Sequence, residues 1–447
     1  MYNTTTDGGA HPTLPQGGTS VSLNQIGMAS FIGTTMEWYD FFVYSTAAAL
    51  VFGSIFFPAE DPLVGTILAF STLAAGYFAR PLGAVLIGHF GDKFGRKRVL
   101  VGTLLAMGIA TVLMGMLPTY ETIGVAAPIL LVALRIVQGL AVGGEWSGAV
   151  LIAAENAPPH RRTFYASFAQ MGSPAGLLLA TVVFTVLQII VPDDALISWA
   201  WRIPFLLAAV LVPIGLIIRL RIDDAPEFKE AARREKAGTV PLVKILVHHW
   251  RGLIIGTGAF LGVFAIYYLL TTFVLTYATN TLGMSADVVL PANIVSAVVE
   301  GIGIAAGVWL ASRLRPRIVT SVSAVILALW SVPAFWLMHF AQPLPLYFAV
   351  GVAMFFVGTS YGVLAGEVAK LFSATARYTG IGLNYHLSGA LGGGLAPVAA
   401  TWMLAATGGV SGVVILCLVV GAFMTVSCLL IPVHPVPELE SDGGRSV

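Results

Sequence analysis

The strongest constraint on this chain is a succession of apolar stretches, each long enough to cross the ~30 Å of bilayer hydrocarbon, for which a helix needs about 20 residues. Twelve can be delimited, at 26–53, 63–90, 99–117, 125–156, 164–191, 199–221, 252–279, 288–312, 318–340, 344–370, 377–405 and 410–431. They are too long for strands and lack strict alternation, and hydrocarbon offers no partner to open backbone groups, so helices are forced. The expected fold is an all-α membrane protein of twelve transmembrane helices. Only 10% of its 447 residues are charged, against about 25% in soluble domains.

The basic residues test the count. Of 23 Lys and Arg, Arg80 and Arg135 lie inside spans and Arg202 begins the sixth. The remainder fall on one side of the membrane if the N-terminus is cytoplasmic: Lys93 to Arg98, Arg161 and Arg162, the run Arg219 to Arg251, Arg313 to Arg317, Lys370, Arg377 and Arg445. The opposite loops carry Glu60, Asp61, Glu121, Asp193, Asp194 and Asp287. This asymmetry satisfies the positive-inside rule and places both termini in the cytoplasm. The net charge of +1 leaves no basic excess to neutralise phosphates, which removes the basis for nucleic-acid binding. Cys417 and Cys428 fall in the last stretch, about 16 Å apart along a helix, too far to bridge.

Residues 1–22 read as a disordered cytoplasmic tail and not a signal peptide, being rich in Thr, Gly, Pro and Ser without Lys or Arg. The expected organisation is a six-helix bundle over 23–221, a cytoplasmic linker over 222–251, a second six-helix bundle over 252–431 and a tail over 432–447. Asp224, Pro226 and Glu227 form a helix-start pattern ahead of Phe228 to Lys236, predicting a short surface helix in the linker. A weak internal repeat at an offset of 220 sets Lys93 on Arg313, Gly83 on Gly303, Val99 on Val319 and Arg80 on Glu300. It predicts two pseudo-symmetric bundles around a midplane cavity, the arrangement used for alternating access.

The segment Gly88-His-Phe-Gly91-Asp92-Lys-Phe-Gly95-Arg96-Lys97-Arg98 resembles the signature loop of the major facilitator superfamily. Further segments resemble its metabolite:proton symporters: Glu37-Trp-Tyr-Asp40-Phe, Arg80-Pro-Leu-Gly83, Arg135-Ile-Val-Gln138-Gly, Gly143-Gly-Glu145-Trp146, Glu155 to Arg162, Trp201 to Phe205 and Arg377-Tyr-Thr-Gly380. They run in the family's order over nearly the whole chain. Gly65-Thr66, Gly88 to Asp92 and Met107-Gly-Ile-Ala-Thr111 are most similar to the shikimate-transporter branch. The resemblance implies a transporter, not an enzyme, in the bacterial inner membrane, with no cofactor beyond the proton gradient. It also implies an outward-state latch, with Asp92 facing the start of span eleven near Arg377 and Arg96 pairing with Glu155. The second half has Ser312, Arg315 and Pro316 at the symmetric positions, so a second latch is not expected.

An ionisable group at the centre of a membrane helix costs at least about 2.5–3.5 kcal/mol, so each should face a cavity or a partner. Glu37 and Asp40, at i and i+3, form a carboxylate pair on one face. Arg80 lies twelve residues before Asp92, hence about 18 Å deep. Arg135, Gln138, Val142 and Glu145 make one stripe along span four. A guanidinium can grip a carboxylate with two charge-assisted bonds, which assigns Arg80 to an anionic substrate. A carboxylate beside an Arg suits the proton, because protonation releases the pair; Asp40 with Arg135 is the expected coupling pair, with Glu37 and Glu145 in support. Sugar:proton symporters, which share the fold, place a similar Asp and Arg in these spans. A fixed ion-pair network of Asp40, Arg135 and Glu145 is the competing reading.

Glu300 is a candidate second proton site, facing a cavity or a partner such as His386. Tyr39, Gln138, Gln170, Tyr267, Asn384, Tyr385 and His386 are candidate substrate contacts; Tyr268 and Phe273 are further aromatics of span seven, read as packing. Asn384 and His386 depart from the shikimate-type pattern. The expected function is proton-coupled import of a small organic acid anion, a shikimate-like cyclic or aromatic hydroxy acid, by a monomer. Di- or tricarboxylate transport of the α-ketoglutarate or citrate type, proline/betaine symport and an uncoupled facilitator remain as alternatives. No paired-His metal spacing, Gly-x-Ser-x-Gly elbow or P-loop occurs in the sequence.

Overall fold

The computed structural model describes residues 23–59, 61–94, 96–143, 162–220, 241–373 and 376–433. Among them, ten helices are long and apolar enough to cross a membrane and two shorter apolar helices complete the series. In chain order these are α1 (Ser30–Phe56), α2 (Pro62–Ile87), α3 (Val101–Met116), α4 (Ala126–Val142), α5 (Ser167–Ile190) and α6 (Leu196–Ile217). There follow α7 (Trp250–Thr281), α8 (Ala286–Arg313), α9 (Pro316–Met338), α10 (Pro343–Leu371), α11 (Thr379–Thr407) and α12 (Ser411–Leu430). No strand occurs among the described residues. The continuation of span four beyond Gly143, the surface helix expected over 228–236 and both tails lie outside the described residues. The last part of the linker forms a helix, Pro241–His248, whose Ile245 is buried where it packs on α7 and α11.

Large apolar side chains cover the outer faces: Ile189, Val210, Leu329 and Val419 are each more than half exposed. Water would penalise this, but hydrocarbon does not. Trp199, Trp250, Trp309, Trp336 and Trp402 are also exposed close to helix ends, where amphipathic rings sit at the headgroup level. Helix ends follow local chemistry. α9 and α10 open on prolines preceded by extended Arg315 and Gln342, positions where a missing N–H loses nothing. α11 closes on Gly408 at φ +67°, a left-handed cap that suits glycine. Cys417 and Cys428 are buried free thiols of α12.

α1 packs on α5, and α2 on α4; in the second group α8 packs on α10 and α7 on α12. The repeat is visible at its glycines. A Cβ on Gly83 would strike the Leu140 backbone of α4, and one on its counterpart Gly303 would strike the Phe355 backbone of α10. Both permit the close helix approach that membrane packing relies on in place of a hydrophobic driving force. Across the groups, α5 meets α8 and α2 meets α11. π-helical turns interrupt α1 at Ala48–Phe52, α7 at Leu269–Phe273 and Tyr277–Thr281, and α11 at Gly389–Leu395. The last is a glycine-rich segment whose Gly393 and Gly394 lie against Tyr77 and Ala74 of α2.

Candidate functional site

The two groups of helices meet on aromatic rings. Trp38 and Phe42 of α1 stack at 5.4 Å, and Phe42 contacts Tyr267 and Tyr268 of α7 at 5.6 and 6.1 Å. Tyr385 of α11 sits edge-on to Phe264 at 4.9 Å. Around them Glu37, Asp40, Arg80, Arg135, Glu300 and His386 are at most 3% exposed. The centre is therefore shut off from both membrane faces in this conformation.

Arg80 of α2 lies between two rings, its Cζ 3.8 Å from the centroid of Phe41 and 4.0 Å from that of Tyr77. The Tyr77 hydroxyl bonds that of Tyr268, joining α2 to α7 across the groups. Aromatic faces hold the cation but leave donors free: Nε and Nη2 of Arg80 have no hydrogen-bond partner. His386 of α11, 0% exposed, lies in the field of Arg80 with its imidazole in hydrogen-bond reach of the Gly143 backbone. Arg80 and His386 thus bring one buried polar side chain from each half to the same place.

Asp40 and Arg135 are neighbours but not a direct ion pair. Arg135 lies over the Tyr44 ring at 3.7 Å, and its Nη1 donates to Gln138 Oε1, while its Nε and Nη2 and the Asp40 Oδ2 lack partners. Gln138 Nε2 donates to Thr111 Oγ1 at 2.8 Å, and the Asp40 carboxyl faces Thr111 and the charge of Arg135. Gln138, expected at the substrate, is occupied within this chain. Glu37 interacts with Tyr77 and Tyr385, towards α2 and α11.

Glu300 meets Ser173 and not His386. Ser173 Oγ of α5 lies 3.1 Å from Glu300 Oε1 and 3.2 Å from the Tyr267 hydroxyl. Gln170 Nε2 donates to Tyr361 O of α10 at 3.0 Å, a second tie between the groups, and the Tyr361 and Tyr385 hydroxyls are 3.1 Å apart.

Two expected substrate contacts make hydrogen bonds within the fold. The Tyr39 hydroxyl donates to Pro204 O of α6 at 2.7 Å, inside its own bundle. Asn384 bonds Thr257 at 3.1 Å and Gly252 O at 3.3 Å, fastening α11 to α7; two residues from His386, it falls on a different face of the helix. Arg377 Nε donates to Ala369 O at 3.3 Å, tying the start of the α11 helix to the end of α10. Glu145 and Glu155, and the side chains of Asp92 and Arg96, lie outside the described residues. Phe41, Tyr77, Thr111 and Ser173 were not singled out by sequence. Tyr77 stands three residues before Arg80 and Thr111 closes the Met107 to Thr111 segment, the available signals; Ser173 offers none.

A family model described as Major Facilitator Superfamily matches residues 30–384. The chain belongs to the major facilitator superfamily. The inner membrane metabolite transport protein YhjE of Escherichia coli K12 is 37% identical over 387 residues, 86% of this chain and 88% of the relative. The shikimate transporter of the same organism is 37% identical over 388 residues, 84% and 87% of the two chains. A crystal structure of a D-xylose–proton symporter superposes with a TM-score of 0.70 at 18% identity, covering 92% of this chain and 97% of the other. A partially occluded inward-open structure of the E. coli xylose transporter XylE gives 0.68 at 18% identity; likenesses at this identity concern the fold. This facilitator is a multi-pass membrane transporter with the twelve-helix, two-bundle architecture of its family, and not an enzyme.

Proposed function

We propose that the chain is a proton-coupled symporter that imports a small organic acid anion by alternating access, with a shikimate-like cyclic or aromatic hydroxy acid as cargo. The reading is carried by Arg80, a buried guanidinium with two nitrogens that lack hydrogen-bond partners among the described residues, beside the buried imidazole of His386. Buried donors without acceptors are costly, and a carboxylate entering between the halves would satisfy both. Phe41 and Tyr77 would wall a flat ring. The similarity to a protein named shikimate transporter points the same way.

The cycle follows from two charges. With Asp40 protonated, the outward-facing protein takes the anion at Arg80, and a neutralised centre can close without a bare charge in hydrocarbon. Rocking of the bundles exposes the cargo to the cytoplasm, where Asp40 releases its proton and attracts Arg135, resetting the site. The Lys and Arg of the loops support a cytoplasmic location for this face and both termini. Glu300, which meets hydroxyls of α5 and α7, is assigned as a second proton site whose protonation gates closure. The test is a thermal-shift and uptake screen of small organic acids at two pH values. A cyclic hydroxy acid should stabilise the wild type, by about 2.7 kcal/mol at a hundredfold excess over Kd, and leave Arg80→Ala unmoved. Equal stabilisation of Arg80→Ala would overturn the assignment.

A further inference from the structure

Thr111 of α3 holds a position that the cycle above does not use. Its Oγ1 accepts from Gln138 Nε2 at 2.8 Å and donates to Met107 O at 3.0 Å, while Asp40 faces the same hydroxyl. It is 0% exposed. A hydroxyl has one proton to give, so Thr111 can serve the Met107 carbonyl or the Asp40 carboxylate but not both. Ionised Asp40 is acceptor-only and draws that proton. Protonated Asp40 is itself a donor, and the hydroxyl then gives its proton to the Met107 carbonyl, 3.0 Å away.

We propose that Thr111 is the positioning residue that carries the protonation state of Asp40 to Arg135. Through its bond to Gln138 it orients the amide so that Oε1 holds the Arg135 guanidinium away from neutral Asp40. When Asp40 ionises, the same hydroxyl swings to the carboxylate and Arg135 leaves Gln138 for it. The proposal rests on Asp40 as the coupling group. Among the described residues, Arg135 of α4 and Tyr39 of α1 act on Asp40 directly, Arg80 and Tyr77 of α2 and Tyr44 of α1 act on Arg135, and Glu37 of α1 acts on Tyr77. Among the described residues, α6 adds only Arg202, which is turned to Leu117 O at 3.0 Å.

The experiment needs no substrate: pH titration, on purified full-length protein, of the infrared carbonyl band of protonated carboxyl groups, with the Asp40 component assigned by its loss in Asp40→Asn. Thr111→Val removes the donor to ionised Asp40 without changing shape, so the midpoint should move up by about one pH unit. Gln138→Leu frees Arg135 for the carboxylate and should move it down. Thr111→Ser keeps the hydroxyl and should titrate like the wild type. An unmoved midpoint in Thr111→Val, a shift of the same sign in Gln138→Leu, or a Thr111→Ser that behaves like Thr111→Val would overturn the proposal. If Thr111→Val does not fold, Gln138→Leu and Thr111→Ser decide by the same signs. Should Asp40→Asn remove no titrating band, the reading of Asp40 itself falls, and the two failures are told apart.

Discussion

Burying a guanidinium removes its hydration, and Arg80 recovers part of that through two aromatic faces, each worth up to about 2 kcal/mol when desolvated. What the rings do not supply is acceptors for its planar donors. Arg80→Lys keeps the charge and loses the fork, and is expected to raise the KM for uptake about 10- to 100-fold, as measured by initial rates over a substrate series. His386→Ala should weaken uptake by more than it lowers folding yield, since the ring bonds no side chain among the described residues. Arg80 is legible in sequence because depth follows from counting residues to the membrane edge. Its cage is not, because Phe41 is on another helix and nothing in the sequence gives the rotation of α1 against α2. Nor does the sequence give the rotation of α11, which turns Asn384 to α7 while His386, two positions on, lies in the field of Arg80.

At the level of elements, the glycine pair at the α2–α4 and α8–α10 contacts carries the repeat. Gly83→Ala and Gly303→Ala each place a Cβ against backbone, which cannot yield as a side chain can; both should lower thermal stability and yield in detergent. Gly102→Ala, with nothing within 4 Å of the added carbon, should leave the melting temperature unchanged or slightly raised, since alanine is about 1 kcal/mol the better helix former. The twelve spans were readable because hydrocarbon thickness sets their length. The π-helical turns were not: Gly389–Leu395 is shaped by Tyr77 and Tyr268 pressing on its glycines, a tertiary cause. Glu300 joins α8 to α5 through Ser173. Glu300→Gln keeps a neutral partner for that hydroxyl, so substrate exchange should persist and become less sensitive to alkaline pH; exchange that stays as pH-sensitive as in the wild type would remove Glu300 as a gate.

For the whole molecule, the structure is a closed form in which α5 meets α8 and α2 meets α11, with tyrosine, serine and glutamine side chains tying the bundles together. Transport requires these ties to part on alternate sides. Among the described residues the ties are hydroxyl and amide bonds rather than ion pairs between the halves, which suits an interface that must open repeatedly, since a separated ion pair would strand two charges in a poorly hydrated space. Wild-type protein in proteoliposomes should exchange labelled for unlabelled acid without any gradient. The most direct measurement adds an inward acid gradient and follows accumulation of the same acid in wild type and Asp40→Asn. Wild type should concentrate the acid until a protonophore collapses the gradient, and Asp40→Asn should exchange but not concentrate. Accumulation that survives the protonophore, or an Asp40→Asn variant that still concentrates, would contradict the coupling of anion and proton at this site.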